Sequence, residues 1–448
     1  MNTTTVTTTR SKQLHERARS FLPMGVTGDG RYSSPYPIAF SKAKGKWLHD
    51  VDGNVYLDYH GGFGTAVLGY AHPDVDAAVQ KAMQDIGTFV GVPHPYEEEL
   101  AERLCSLIPF AERVALCGGG GSDAIYHAVR LARAATGRTK IVKIEGGYHG
   151  WHSDVGFSTR PSLSAAGDVE APRAVPNSAG ILPAVAAEVL VTTVNDEGSL
   201  RRLFADHGYD VAGLLIEPVV YSAGCILVDK SYLQLTRELC TQYGAVLIFD
   251  EVMSGFRAGL GGAGAQLGVA ADLGAFGKAI ANGYIISVVA GIASLMTQLA
   301  PEGPVFYSGT FNGHPLSVAA SLTTLDLLQS QRVPEQLSKL GERLSIGVNR
   351  TIRELGVVAT CQTFGSIWNV YFGTTSVRNY RDLARSSGPE TERLNDAYRV
   401  YLRDRGIYMH KRHVNRCFIS AAHDEADIDH TVAVVGDFLD ANRKELAS

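Results

Sequence analysis

The sequence has few cysteines, no excess of positive charge and no long hydrophobic run, and each shortage argues against a class of protein. The six cysteines are scattered without a C-x-x-C pair or a histidine at ligand spacing, which argues against a disulfide framework or a metal site. The 41 basic and 46 acidic side chains give a net charge of −5, so we expect no nucleic-acid partner.

The hydropathy of the chain gives no sign of a membrane or secretory segment. The most apolar stretch, Tyr284–Met296, is shorter than the ~20 residues that a membrane-spanning helix needs. The first ten residues are polar and lack the apolar core of a secretory leader. We therefore expect a cytoplasmic protein that does not bind membranes.

Length and pattern indicate an α/β protein with more than one domain. Among the 448 residues, 45% are hydrophobic, and short apolar runs alternate with helical patterns between about residues 70 and 325. Such alternation predicts right-handed crossovers and a mainly parallel sheet covered on both faces. We predict a three-layer major domain over residues 70–325, in which 151–187 form a lid-like loop. Residues 1–69, with a helix and a small β region, and 326–448 would form a smaller α+β domain.

The carboxyl ends of the predicted strands carry the reactive side chains. Parallel sheets bind ligands beyond these ends. One strand leads into a glycine run, Gly118–Gly121, followed by Ser122 at a helix start, where free backbone N–H groups would favour a phosphate. Three further strands lead into Glu145–Gly150, Glu217 and Asp250.

The sequence matches neither of two common nucleotide-binding motifs. Asp123 stands where the third glycine of G-x-G-x-x-G belongs, and Gly277-Lys278 is followed by Ala279 rather than Ser or Thr. A non-catalytic nucleotide-binding α/β protein therefore remains only a distant alternative.

Asp250 and Lys278 together indicate a different cofactor. A carboxylate at a buried strand end needs a cationic or protonated partner. A lysine in a small apolar loop, here Ala275–Ile280, would have its pKa lowered by desolvation and become nucleophilic. With a phosphate site, these are the groups that pyridoxal 5'-phosphate (PLP) requires.

Several segments, in order along the chain, resemble the class III, fold-type I aminotransferases, and most closely their glutamate-1-semialdehyde 2,1-aminomutase branch. The likeness extends from about residue 14 to 439. The segments that carry it are Gly120–Ala124, Arg130–Gly137, Glu145–Gly150, Asp250–Arg257, Phe276–Lys278, Gly309–Phe311 and Ser420–His423.

The resemblance implies a role for each cofactor-site residue. Lys278 would form the Schiff base and shuttle a proton, and Asp250 would hold the pyridine nitrogen protonated. The remaining contacts would comprise the phosphate-binding Gly120, Gly121 and Ser122, the ring-packing Val252 and Tyr148, Glu217 and Ser222 near the ring hydroxyl, and Thr310 from the neighbouring subunit. A shared site of this kind implies a homodimer.

The substrate-binding residues follow from the same resemblance. Arg31 matches the position that binds the substrate carboxylate, for which a guanidinium is well suited, and Phe63 would form an aromatic wall. Asn415, within the basic cluster 410–416, replaces a glutamate of the aminomutase branch, and Ile285 replaces a proline.

These departures favour an intermolecular aminotransferase over the aminomutase. It would pass the amino group of a carboxylate-bearing amino-acid donor to a keto or aldehyde acceptor. Glutamate-1-semialdehyde-like 2,1-aminomutase activity is the second hypothesis, and PLP-dependent racemases or decarboxylases use the same lysine.

Overall fold

The computed structural model describes residues 6–409 and 414–447, which form two compact units. The first unit comprises residues 1–72, 337–376 and 386–448, and the second comprises 73–336 and 377–385. Residues 410–413 of the predicted basic cluster lie outside the described residues.

The strands, in chain order, are β1 (Phe40–Lys44), β2 (Trp47–Asp50), β3 (Val55–Asp58), β4 (Arg113–Cys117), β5 (Lys140–Ile144), β6 (Val189–Thr192), β7 (Val211–Ile216), β8 (Val219–Val220), β9 (Ile226–Leu227), β10 (Val246–Glu251), β11 (Leu273–Phe276), β12 (Ser287–Gly291), β13 (Ala359–Phe364), β14 (Ile367–Phe372), β15 (Ile407–Tyr408) and β16 (Cys417–Phe418).

The helices are α1 (Thr9–Ala18), α2 (Gly61–Gly64), α3 (Pro73–Asp85), α4 (Pro95–Leu107), α5 (Gly121–Thr136), α6 (Leu163–Ala166), α7 (Pro183–Ala186), α8 (Glu197–His207), α9 (Lys230–Tyr243), α10 (Gly262–Gln266), α11 (Ala293–Met296), α12 (Pro315–Ser330), α13 (Val333–Leu355), α14 (Tyr380–Ser386), α15 (Pro389–Arg403), α16 (Glu425–Ala441) and α17 (Arg443–Leu446).

The second unit is built on a seven-stranded sheet with the order β4-β12-β11-β10-β7-β5-β6. All neighbouring pairs are parallel except those of β12, which runs antiparallel to both β11 and β4. Helix α5 packs its Ala and Val side chains against the sheet, within a core cluster that also includes Ile248 and Val289. This architecture confirms the predicted α/β class with a mainly parallel sheet.

One element differs from the sequence interpretation. The sequence predicts a loop over Ala275–Ile280, but Ala275 and Phe276 belong to the strand β11, which is hydrogen-bonded between β10 and β12. The strand is short and contains Gly274, which weakens its sequence pattern. The glycine is required because a Cβ there would lie 2.7 Å from the ring of Phe110.

The long segment 151–187 contains structure of its own. It includes the short helices α6 and α7, and a β-bridge joins Phe157 to Pro176. Phe157 is fully buried in a cluster with Val189 and Val191 of β6. The segment is therefore packed against β6 over part of its length.

The unit boundaries differ from the predicted domain boundaries in three places. Residues 70–72 belong to the first unit rather than to the major domain. Residues 326–336 and 377–385 belong to the second unit rather than to a C-terminal domain. For 377–385 the cause is a buried ion pair: the Arg381 guanidinium donates to both carboxylate oxygens of Glu145, at 2.8 and 3.1 Å. The Tyr380 hydroxyl also donates to the Pro161 carbonyl at 2.8 Å.

The first unit contains two small sheets. One has the order β1-β2-β3-β15, with β15 parallel to β3, and the other the order β13-β14-β16. The Asn349 side chain joins α13 to β13 by pairing with both backbone groups of Cys361, at 2.8 and 2.9 Å.

The helices of residues 6–409 and 414–447 differ in length and hydropathy. None of these helices is both long enough and apolar enough to cross a membrane.

Candidate active site

Two neighbouring parallel strands bring Asp250 and Lys278 to the same edge of the large sheet. In the register of β10 and β11, Asp250 pairs with Ala275 and Glu251 with Phe276. Lys278 follows β11 after one glycine, and Asp250 is the second-to-last residue of β10. The two residues therefore lie at the carboxyl ends of adjacent strands.

Asp250 is buried and held by two hydrogen bonds. Its Oδ1 accepts from the Val252 N–H at 3.1 Å, and its Oδ2 lies 2.8 Å from His149 Nδ1. A carboxylate only accepts, so Nδ1 carries the proton. Burial lowers the pKa of His149, although Asp250 opposes this shift. The histidine thus donates a hydrogen bond that orients the carboxylate.

His149 is a site residue that the sequence interpretation does not assign. It lies in the segment Glu145–Gly150, where the resemblance implies a role for Tyr148 alone. Its Nε2 is buried and has no hydrogen-bond partner among the described residues. The sequence feature that could have identified His149 is its position next to Tyr148, in a glycine-rich segment that follows a strand.

The backbone of Lys278 has a left-handed conformation with φ of 47°. A non-glycine residue in this region carries backbone strain, which accumulates at functional sites. The extended Gly277 precedes it, and the half-buried Lys278 opens a short 3-10 helix, Lys278–Ala281. The side chain is therefore projected from a constrained turn.

The glycine run forms a close-fitting turn at the start of α5. A Cβ on Gly121 would lie 2.4 Å from Val252 Cγ1, whereas a Cβ on Gly120 would meet no atom within 4 Å. The Ser287 hydroxyl donates to the Gly120 carbonyl at 2.9 Å. A Cβ on Gly150 would lie 2.8 Å from Ser122 Oγ. The turn thus brings the helix N-terminus against Val252 and leaves open space at Gly120.

Tyr148, Glu217 and Ser222 also lie together. The Ser222 hydroxyl donates to Glu217, and the Ser222 N–H donates to Glu217 Oε2 at 3.1 Å. The Tyr148 N–H donates to Ser222 Oγ at 2.9 Å. Glu217 and Ser222 are buried, whereas the Tyr148 ring is about half exposed.

These residues fit a phosphorylated pyridine aldehyde. The second unit combines a buried, oriented carboxylate, a lysine and a helix N-terminus with space beside it. The half-exposed Tyr148 ring and the Val252 side chain offer apolar surface. The buried and unpartnered His149 Nε2 shows that polar groups here are not all satisfied within the described part of the chain.

Thr310 is exposed on the second unit. It lies between Phe306 and Phe311, whose side chains are 70% and 59% exposed. The adjacent Asn312 accepts a hydrogen bond from the Gly118 N–H at 2.7 Å. The structure therefore fixes this segment beside the glycine run while leaving Thr310 accessible.

Arg31 and Phe63 line one cavity in the first unit, with a volume of about 490 Å³. Most of its wall is apolar, with side chains such as Leu14, Ala18, Leu22, Val26, Ile38, Phe40 and Leu48. Arg31 is exposed and its guanidinium donates to Thr27. Phe63 has a left-handed backbone with φ of 60°, and its ring packs against His60 at 4.4 Å between centroids.

Asn415 is not among the residues that line this cavity. Its buried amide accepts a hydrogen bond from Arg399 at 2.7 Å and donates one to Asn395 at 2.7 Å. The structure thus places Asn415 in a polar network with Arg399 and Asn395 within the first unit.

The sequence matches known proteins over nearly its full length. The family model described as "Aminotransferase class-III" matches residues 30–430. The chain is 38% identical to the glutamate-1-semialdehyde 2,1-aminomutase of Rhodopirellula baltica over 430 residues, which are 95% of this chain and 94% of the relative.

Solved structures agree with this match. An omega-transaminase from Sphaerobacter thermophilus has 31% identity and a TM-score of 0.90, covering 97% of this chain and 98% of its own. A β-phenylalanine aminotransferase from Variovorax paradoxus has 30% identity and a TM-score of 0.87, with 98% and 95% covered. These matches confirm the predicted family, fold type and cofactor. The chain belongs to the class III aminotransferases and is a PLP-dependent enzyme.

Proposed function

We propose that this enzyme transfers an amino group between molecules, from a carboxylate-bearing amino acid to a keto or aldehyde acceptor. The cavity of about 490 Å³ in the first unit, which combines Arg31 with apolar walls and Phe63, carries the substrate part of this proposal. A guanidinium binds a carboxylate, and the apolar walls favour a hydrocarbon group on the same substrate. Transfer between molecules rests on Asn415 and Ile285, which stand where the aminomutase branch has a glutamate and a proline.

PLP, when bound, supplies an electrophilic carbon and an electron-withdrawing ring. In this proposal Lys278 Nζ is its attachment point and also accepts and returns the proton that moves during transfer. Asp250, oriented by His149, holds a proton on the ring nitrogen. The N-terminus of α5, at Gly120, Gly121 and Ser122, binds the phosphate.

The flanking residues complete the proposed cofactor site. Val252 and Tyr148 contact the two ring faces, and Glu217 with Ser222 lies near the ring hydroxyl. The hydrogen bond from the Tyr148 N–H to Ser222 supports their acting together. For Asn415 to contact the substrate, its amide must first release its hydrogen bonds to Arg399 and Asn395.

We also propose a cytoplasmic homodimer in which Thr310 of one copy contacts the cofactor phosphate of the other. The exposed Phe306 and Phe311 beside Thr310 support an interface, because large apolar side chains are normally covered. All six cysteines are free thiols, which suits a reducing compartment.

The role of Arg31 is testable with paired donors. Arg31→Gln should raise the KM for β-phenylalanine roughly 10- to 100-fold, because a charge-assisted hydrogen bond is lost. The KM for α-methylbenzylamine, an aromatic amine that lacks the carboxylate, should not change. Arg17→Gln, an exposed change on α1 outside the cavity lining, is the matched control. Equal effects on both donors would contradict the proposal.

Aminomutase activity is the second candidate, favoured by the 38% identity to the enzyme of that name. It predicts conversion of glutamate-1-semialdehyde to its amino-shifted isomer without any external donor or acceptor. A high rate of that conversion, with no response to external donors, would replace the intermolecular proposal.

A further inference from the structure

A fully buried lysine lies in β5, where the proposed function assigns it no role. Lys143 pairs in register with Val191 of β6 and Leu215 of β7, inside the sheet. Strands that are buried on both faces normally carry only apolar side chains. Its side chain is fully inaccessible, and burial lowers its pKa to about 7 although Glu217 and Glu145 oppose the shift.

The Lys143 amino group donates to two backbone carbonyls on the two arms of the following turn. Nζ donates to the Gly147 carbonyl at 2.8 Å and also to the Phe157 carbonyl. Gly147 immediately precedes Tyr148 and His149, and Phe157 is on the segment that returns to the sheet. One side chain therefore connects the outgoing and returning arms of the turn.

Other hydrogen bonds also hold the two arms of this turn, but none of those described here comes from a side chain inside the sheet. The Gly146 N–H donates to the Ser158 carbonyl at 2.9 Å, and the Ser158 N–H donates to the Val175 carbonyl at 2.7 Å. The Thr159 hydroxyl donates to the Gly147 carbonyl at a longer 3.3 Å. Only Lys143 among these groups reaches both arms from the rigid sheet.

The two residues after Gly147 carry the site's geometry. His149 donates to Asp250, and the Tyr148 N–H donates to Ser222. A shift of the Gly147 carbonyl would move both side chains, because the intervening backbone is short. Productive geometry in active sites tolerates only small displacements.

We propose that Lys143 is a positioning residue, which fixes Tyr148 and His149 by holding the carbonyls of Gly147 and Phe157 together. The effect on catalysis rests on the proposed roles of those two residues. The effect on the conformation of the turn does not depend on them. Burying a lysine side chain is costly, and a well-packed apolar side chain would often be at least as stable. The two hydrogen bonds from Nζ to the turn explain why a lysine, rather than an apolar residue, occupies this buried position.

The test compares Lys143→Met with Lys140→Met in the full chain, both without cofactor and with PLP. Lys140 is the matched control, because it lies on the same strand and its Nζ donates to the Ala187 carbonyl at 3.0 Å, away from the turn. In the apoprotein, Lys143→Met should speed hydrogen exchange of amides 146–158 by about tenfold. Lys140→Met should leave those amides unchanged.

The loaded enzyme supplies the second readout. Lys143→Met should lower kcat about tenfold or more while the donor KM changes little, and should weaken PLP binding. Lys143→Gln, which keeps an N–H donor group on a shorter side chain, should lie between Lys143→Met and the natural protein. It also serves as the test variant if Lys143→Met does not fold.

Several outcomes would overturn the proposal. Unchanged exchange at 146–158 would show that the turn does not depend on Lys143. Equally faster exchange throughout the chain, or failure of both variants to fold, would show a general structural role instead. If the natural protein transferred no amino group, the proposed function would fail, whereas the exchange result would still stand by itself.

Discussion

Gly121→Ala tests the packing on which the cofactor site depends. The added Cβ would lie 2.4 and 2.6 Å from the two methyl groups of Val252. Ordinary carbon contacts are about 3.5–4.0 Å, so atoms must move by roughly 1 Å. Val252 is β-branched and presents both methyls, so rotating χ1 does not relieve the contact. Overpacking of this kind costs about 1–3 kcal/mol, which is a roughly 5- to 150-fold change in an equilibrium constant.

The neighbouring Gly120→Ala is the matched variant, because no atom lies within 4 Å of its added Cβ. Denaturant unfolding of the apoproteins should show a loss of about 1–3 kcal/mol for Gly121→Ala and a change within about 0.5 kcal/mol for Gly120→Ala. A PLP titration should nevertheless show weaker binding for Gly120→Ala, since the open space is the proposed phosphate site. Equal stability of the two variants would refute the packing argument, and unaltered PLP binding by Gly120→Ala would refute the phosphate assignment.

Three further predictions concern buried charges and hydrogen bonds. Arg381→Met should destabilise the protein by about 3–5 kcal/mol, because it leaves Glu145 buried without its partner; the exposed Arg378→Met should have almost no effect on the melting temperature. Burial lowers the pKa of His423 from 6.5 to about 4, so the unfolded chain binds its proton first as the pH falls. The free energy of unfolding should therefore drop by about 3 kcal/mol more between pH 6.5 and pH 4 in the natural protein than in His423→Phe, and parallel pH curves would contradict this. His149→Leu should weaken PLP binding about tenfold, measured by equilibrium dialysis, because Asp250 loses its side-chain donor; an unchanged Kd would exclude an orienting role.

The sequence predicts the site best where an apolar run that forms a parallel strand leads directly into a reactive side chain. The runs that form β4, β5, β7 and β10 end at the residues expected to carry chemistry, because parallel strands gather their carboxyl ends at one edge. Asp250 and the glycine run could therefore be assigned to one site in advance. The motifs around these residues also predict the class III aminotransferase family and PLP as its cofactor.

Contacts between distant residues could not be anticipated. His149 and Asp250 are 101 positions apart, and Arg381 and Glu145 are 236 apart, so no local pattern connects them. Lys143 is a single polar residue in an apolar run, and its two carbonyl partners come from a turn with no regular structure. The short β11 escapes prediction because its glycine serves a tertiary contact with Phe110.

The most direct test of intermolecular transfer is the visible absorbance of the PLP-loaded enzyme during addition of a single amino donor. We predict that a carboxylate-bearing donor such as β-phenylalanine bleaches the cofactor band and releases one equivalent of its keto product. Subsequent addition of a keto-acid acceptor should restore the band. A band that no external donor bleaches, in an enzyme that isomerises glutamate-1-semialdehyde alone, would contradict the proposal.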